Sequence, residues 1–396
     1  MRLASVFLAA SLFSVGYGEE IAYGSETPSA IGGFDERSWR DIPDLKLEGY
    51  IQAQLDIMYY EAEILVRVRG NEVFLYNIPE NKLIEESIVS FVKDMPRVKK
   101  VKVVRGKKRT DIVPGYDSLR KGGRISGVWF PQNTVLFAPI IANPRQVTYS
   151  LGMRFADSVI GSPAAVVSFG DDFPIYRWQN VGDSMGDVQI SIEAGVWCVF
   201  SYEDKNGAVT SDQFAELINS DFYAGIPVTY AINEWAFRWR LYHISSHLGD
   251  EFLVNHQEEI PTRKNPSKEV FDFITSYQLT GSIRLFGGPG YVLHSDKTYP
   301  LKRWHFMYGM ECRFMTFKSH THGLYGQPFL SMWFENDEQH DWQFNNTYVV
   351  GYEWSKLQGV GRKVRVFFEY HHGFSMEGQF SNRPVEYGVI AFSYGF

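Results

Sequence analysis

The sequence predicts an all-β transmembrane β-barrel of about 12 antiparallel strands, preceded by a small α/β domain. Three observations carry that expectation. Among 396 residues there are 30 Phe, 23 Tyr and 10 Trp, and membrane barrels use such aromatic residues as girdles at both interfaces. The first 18 residues have the layout of a secretory signal peptide. Beyond about residue 125, segments of 10 to 15 residues alternate in polarity between Gly, Asn, Asp, Ser and Pro turns.

The amino terminus sets the compartment. Arg2 precedes an apolar run from Leu3 to Val15, and the small residues Gly16 and Gly18 stand before Glu19. That run is too short to span a bilayer, and no later segment reaches 18 consecutive apolar residues, so any crossing must use strands. Residues 1–18 read as the signal peptide and 19–46 as a tether. Lys+Arg 39 against Asp+Glu 46, with 21% charged residues, excludes a disordered chain or one given over to nucleic-acid binding. Two cysteines, Cys198 and Cys312, cannot specify a disulfide framework or a metal site.

From Leu47 to Tyr60 the apolar residues Leu47, Tyr50, Ile51, Leu55 and Met58 follow helical spacing. Strands are expected at 64–68 and 72–76, with Gly70-Asn71 as the turn between them. Asn81 should cap a helix carrying Ile84, Ile88, Phe91 and Val92, ended by Pro96, with a third strand at 98–103. Residues 47–104 thus form a small α/β domain. The stretch Val66-Arg67-Val68-Arg69-Gly70-Asn71-Glu72-Val73-Phe74-Leu75, the following helix and Met95-Pro96-Arg97-Val98-Lys99-Lys100-Val101 resemble the BON domain of bacterial envelope proteins. That resemblance implies a periplasmic module contacting phospholipid or other envelope proteins. Residues 105–124 continue as a basic linker. Lys99 to Arg124 hold ten basic residues and two acids, which suits either anionic headgroups or a solvated linker.

Residues 125–396 are expected to be the barrel, with strands at 133–141, 145–157, 164–178, 187–202, 217–230, 234–247, 268–285, 301–317, 326–336, 341–354, 361–374 and 384–396. In the last of these, Ile390, Phe392, Tyr394 and Phe396 share one face. This ending resembles the insertion signal of bacterial outer-membrane barrels, which implies that the barrel-insertion machinery reads Phe396 and that the protein resides in the outer membrane with its first domain in the periplasm. Arg238, Arg240, Arg284, Arg313, Arg365 and Glu369 are expected to face the lumen and to fill it with ion pairs.

In 234–247 the odd residues Trp235, Phe237, Trp239 and Leu241 face lipid, and His243 and Ser245 follow on the same face. Adjacent same-face positions put an imidazole and a hydroxyl within plausible reach, the arrangement of an activated serine. Polar residues of the interface girdle are the plain alternative. The longest connection, Leu248 to about Ser267, follows the pair and should be extracellular. Glu269 opens the matching face of the next segment and is the candidate orienter of His243, with Asp250 and Glu251 behind it. His320, His322, His340, His371 and His372 lack the spacing of zinc ligands. Asp183 and Asp187 read as a bare turn.

His243-Ile244-Ser245 in its strand resembles the site of the outer-membrane phospholipase A and lipid A deacylase families, although Ser246-His247 stand where the phospholipases have Asn and Gly. The resemblance implies a serine lipid-ester hydrolase with Ser245 as nucleophile, His243 as base and outer-membrane lipids as substrate. It implies no redox cofactor; calcium and a homodimer are the cofactor and partner compatible with it. The alternative is a non-enzymatic barrel that anchors a lipid- or partner-binding domain. The run Tyr242 to Glu251 also resembles the motif of a bacterial outer-membrane family known only as a domain of unknown function.

Overall fold

The structure is a computed structural model that describes residues 43–59, 62, 64–105, 126–131, 134–181, 186–202, 215–256, 264–314, 317–319, 324–356 and 361–396. The expected signal peptide, nearly all of the tether, the basic linker beyond Arg105, Asp183, His320 and His322 lie outside the described residues. No described helix is long and apolar enough to cross a membrane.

The first domain comprises α1 (Asp44–Met58), β1 (Leu65–Arg69), β2 (Glu72–Tyr76), α2 (Lys82–Lys93) and β3 (Lys100–Val104). β1 and β2 form the expected hairpin, and β3 joins β2 in parallel. Its core is built from Leu47, Ile51 and Leu55 of α1, Val73 and Leu75 of β2, and Ile84, Ile88 and Val92 of α2. The Asn81 side chain accepts the Ile84 N–H at 3.2 Å, the N-cap the sequence called for. The free edge of β1 is covered by α1: Glu48 Oε2 accepts the Val68 N–H at 3.0 Å and Gln52 Oε1 accepts the Val66 N–H at 3.0 Å. Side-chain acceptors thereby occupy an edge that would otherwise invite another strand.

The barrel strands are β5 (Tyr149–Phe155), β6 (Ala164–Val181), β7 (Gly186–Ser201), β8 (Glu216–Ile232), β9 (Trp235–Leu248), β10 (Ser267–Thr280), β11 (Ile283–Ser295), β12 (Trp304–Arg313), β14 (Leu324–Asp337), β15 (Phe344–Ser355), β16 (Lys363–Phe374) and β17 (Pro384–Gly395). All are antiparallel, and β17 pairs with β5 to close the circle of twelve. Short strands β4 (Ser126–Trp129) and β13 (Phe317–Ser319) pair with β6 and β14. Strand number agrees with expectation because two errors cancel. Residues 133–141 form no strand, and 268–285 spans parts of two.

Tight turns, such as Asn233-Glu234 and Gly281-Ser282, mark one end of the barrel, and the longer connections the other. The first domain meets the turn end: the Lys82 N–H donates to the Asn233 carbonyl at 2.7 Å and the Tyr325 hydroxyl to Asp94 at 2.8 Å. Outward aromatic pairs ring that end, among them Trp235–Tyr277 and Tyr352–Trp354, while Tyr291–Trp304 sits toward the other. Between them the exposed Ile226, Leu241, Phe271, Val350, Phe368 and Ile390 form an apolar band. A closed sheet with such an outer surface is a transmembrane β-barrel of the outer-membrane type.

Inside, the expected polar lumen is present and much of its charge is ion-paired, although two nitrogens of Arg238 are buried without a hydrogen bond among the described residues. Arg240 meets Asp272 at 2.6 Å and Glu193 at 3.3 Å, and Glu311 receives Arg284 at 2.9 Å and Arg313 at 3.1 Å. Glu353 accepts from Arg313 at 2.9 Å and from Arg365 at 3.1 Å.

The segment expected as the first strand enters this lumen instead. Arg177 donates to the Thr134 carbonyl at 2.9 Å, and Arg284 to the carbonyls of Ala138 and Pro139 at 2.6 Å each. The Ile141 N–H donates to Glu311 at 2.9 Å, and Arg145 reaches Asp221 and the Met376 carbonyl. Leu136, Phe137, Ile140 and Ala142 are buried. Backbone groups that have left the sheet are thus satisfied by wall arginines and a glutamate.

Ile390, Phe392 and Tyr394 face outward as expected, but Phe396 does not: it is buried beneath the Arg362 guanidinium, 4.5 Å from its ring centroid, and its carbonyl accepts from Arg365 at 2.9 Å. The strand ends at Gly395, so the face rule stops one residue short.

At the loop end, the connection Ser375–Arg383 is tied down by Glu377, which accepts from Arg154 at 2.8 Å and from Ser375 at 2.7 Å. Burial would raise the Glu377 pKa, but Arg154 and Arg145 outweigh it and hold the carboxyl well below the usual carboxylate range. A depressed pKa places this stabilisation above the unfolded carboxylate value, about 4.3, and removes it as pH falls through the folded value. Glu377→Gln should therefore speed amide exchange in residues 375–383 by about a hundredfold at pH 7, for a cost of roughly 3 kcal/mol. Hydrogen-exchange mass spectrometry should show the gap between variant and wild type narrowing below about pH 4.

Candidate active site

Strands β9 and β10 place the predicted residues by register. His243 lies opposite Glu269 and Ser245 opposite Ser267, while on β11 His294 lies opposite Glu269. In antiparallel strands directly opposed residues share a face, so His243, Glu269 and His294 form a row across three strands on the outer wall. The row stands at the loop end, just past Leu241 and Phe271 of the apolar band.

The carboxylate uses both oxygens. His243 Nδ1 lies 2.8 Å from Glu269 Oε1, and His294 Nδ1 lies 2.7 Å from Glu269 Oε2. With Nδ1 engaged by a carboxylate, the Nε2 of His243 has no hydrogen-bond partner among the described residues and is the nitrogen that can accept a proton. The His243 side chain is 46% exposed and that of His294 72%, so the row is open to the interface rather than sealed beneath a loop.

Ser245 follows His243 on the same outward face, roughly 7 Å along the strand by ordinary rise. The two side chains are not hydrogen-bonded to one another. The neighbouring Ser246 is excluded by parity: it is buried, donates to Asn219 at 2.9 Å and accepts the Gln379 N–H at 3.1 Å. Asp250 and Glu251 occupy the short helix α3 (Asp250–Asn255) and make no bond to His243.

His294 escaped the sequence reading because β11 was not separated from β10. Its centre is Gly287-Gly288-Pro289-Gly290, a run of poor strand formers that nevertheless lies mid-strand. Packing explains the glycines: a Cβ on Gly288 would lie 1.9 Å from the Phe273 carbonyl oxygen and one on Gly290 2.0 Å from His305 Nε2. Two of the remaining histidines, His340 and His371, are structural. His340 bridges Asp337 at 2.7 Å and the Ser381 carbonyl at 2.9 Å, and His371 links Thr347 and the Phe374 carbonyl. Among the described residues no group of three His, Cys, Asp or Glu could hold a metal ion.

Several solved structures are similar to the chain. Outer membrane phospholipase A from Escherichia coli has 12% sequence identity, covers 63% of this chain and 93% of its own, with a TM-score of 0.41. The Salmonella typhi outer membrane phospholipase dimer with bound calcium has 12% identity, covers 65% and 98%, and gives 0.42. LpxR from Salmonella typhimurium has 11% identity, covers 63% and 100%, and gives 0.32. The likeness is one of barrel fold. No curated protein matches the sequence. Residues 62–396, covering most of the first domain and the whole barrel, match one family, and the chain belongs to it: DUF1207, proteins of unknown function.

Proposed function

We propose that this barrel is a serine hydrolase of lipid esters, acting on phospholipid or lipid A acyl chains from its outer wall. The observation that supports it most is the 2.8 Å contact of His243 Nδ1 with Glu269 on the lipid-facing side, with Ser245 on the same face. In this reading His243 Nε2 takes the Ser245 proton as Oγ attacks the acyl carbonyl carbon. The alcohol leaves with that proton, and water, deprotonated by His243, cleaves the acyl-enzyme to release the fatty acid and restore Ser245. Ser245 must turn toward Nε2 for the first step, a rotation that substrate binding can drive, since catalytic hydrogen bonds tighten in the complex. The site's place at the edge of the apolar band suits an ester whose chains stay in the bilayer. No organic cofactor enters this chemistry.

Labelling of detergent-refolded protein with a fluorophosphonate tests the proposal. Wild type should label, and Ser245→Ala and His243→Ala should not, while all three keep the heat-modifiable migration of a folded barrel. An unlabelled, folded wild type, with and without calcium, would refute it.

The second reading, a barrel that anchors a BON-like periplasmic module, is favoured by the contacts of Lys82 and Asp94 with the turn end. It expects deletion of residues 47–124 to abolish function and His243→Ala to leave it intact.

A further inference from the structure

Behind the outer row, on the lumen side of the same strands, a cavity of about 180 Å³ opens toward the loop end. Alternation puts Tyr242, Ile244 and Lys268 inside where His243, Ser245 and Glu269 are outside. That space holds roughly ten water molecules at about 15 Å³ each, enough for a solute the size of an amino acid.

Most charges on its wall are committed. Arg240 belongs to Asp272 and Glu193, Arg145 to Asp221, Asp337 to His340 and Lys302 to Asp341. Two are not: the Lys268 ammonium and the Glu335 carboxylate line the cavity and form no ion pair or hydrogen bond, with each other or with any described residue. A third group, the His305 imidazole, is 9% exposed and has no hydrogen-bond partner among the described residues. Gly290 makes room for this ring, since a Cβ there would lie 2.0 Å from Nε2. Lys268 is within electrostatic reach of both His305 and Glu335.

A partly enclosed cation and anion that fail to meet cost desolvation without return unless something bridges them. The complement is a molecule with both charges. We infer that the cavity binds a small zwitterion carrying an ammonium group and a carboxylate or phosphate. Glu335 receives the ammonium, Lys268 the anion, and His305 hydrogen-bonds the polar centre. This site is separate from the outer row and does not depend on hydrolysis there.

Isothermal titration of the full chain in a non-ionic detergent tests it, with the twenty L-amino acids as one set of probes and glycerophosphoethanolamine as the other. At least one probe should bind with a Kd of about 1 mM or tighter. Affinity should fall at least about tenfold in both Lys268→Met and Glu335→Gln, as expected for a lost charge-assisted hydrogen bond, and remain unchanged in Ser245→Ala. On wild type alone, analogues of the bound probe lacking the amino or the acidic group should bind at least about tenfold more weakly, which keeps the test valid if a variant fails to fold. Binding by an amino acid identifies a free solute, and binding by glycerophosphoethanolamine a lipid-derived headgroup. No binding by either set, or affinity indifferent to both substitutions and both analogues, would overturn the inference.

Discussion

Glu269→Gln should slow ester hydrolysis by about a thousandfold to ten-thousandfold while leaving the barrel folded. The carboxylate now accepts at 2.8 Å from His243 Nδ1, so the proton sits on that nitrogen and Nε2 is free to act as base. A glutamine amide can donate instead, fixing the opposite tautomer, and it offers no negative charge to the imidazolium formed during attack. His294→Ala separates this effect from loss of packing. It removes the second ligand of Glu269 but leaves the His243 contact, and its rate should stay within about tenfold of wild type. The measurement is kcat/KM on a micellar p-nitrophenyl ester, taken across pH. Equal activity of Glu269→Gln and wild type would sink the assignment of Glu269 as orienter.

Glu311→Ala should carry the largest cost in stability, about 3–5 kcal/mol. Its carboxylate is 1% exposed and serves Arg284, Arg313 and the Ile141 N–H together. Alanine removes the one carboxylate that meets Arg284, one of the two that meet Arg313, and the acceptor of the Ile141 N–H, leaving Arg284 with backbone carbonyls alone. Glu311→Gln keeps an acceptor for Ile141 and should lose less. Urea unfolding of detergent-refolded protein, followed by tryptophan emission, gives both values, provided the transition is reversible. A loss below about 1 kcal/mol would mean that the lumen segment contributes little to the fold.

Much of this architecture is written locally. Arg238 and Arg240 alternating with Trp235, Phe237, Trp239 and Leu241 assign inside and outside without tertiary information, because the side-chain period of a strand is two. The same parity separates Ser245 from Ser246 and aligns Glu269 with His243 once β9 and β10 are paired in register. The failures lie where one residue's meaning depends on a distant partner. Leu136, Phe137, Ile140 and Ile141 read as a strand, although Pro139 and Pro144 argue against one in a ladder that needs every N–H. What draws them inward is Arg177, Arg284 and Glu311, which are far away in sequence. The glycines of β11 hide a strand, because what calls for them is the close approach of Phe273 and His305. The burial of Phe396 likewise depends on Arg365 of the neighbouring strand and on Arg362 just before it.

The lumen segment bears on electrical behaviour. Its flanking strands, β4 and β5, both pair with β6, at Tyr176–Gln179 and Ala164–Ser168. Releasing the segment from the wall would therefore mean unzipping part of the circumference, not swinging aside a hinged cover. A continuous path for ions would also require separating the arginine–carboxylate clusters that meet the segment. In a bilayer under voltage, such a barrel should therefore carry little current compared with an open porin, a result that planar-bilayer recording would check.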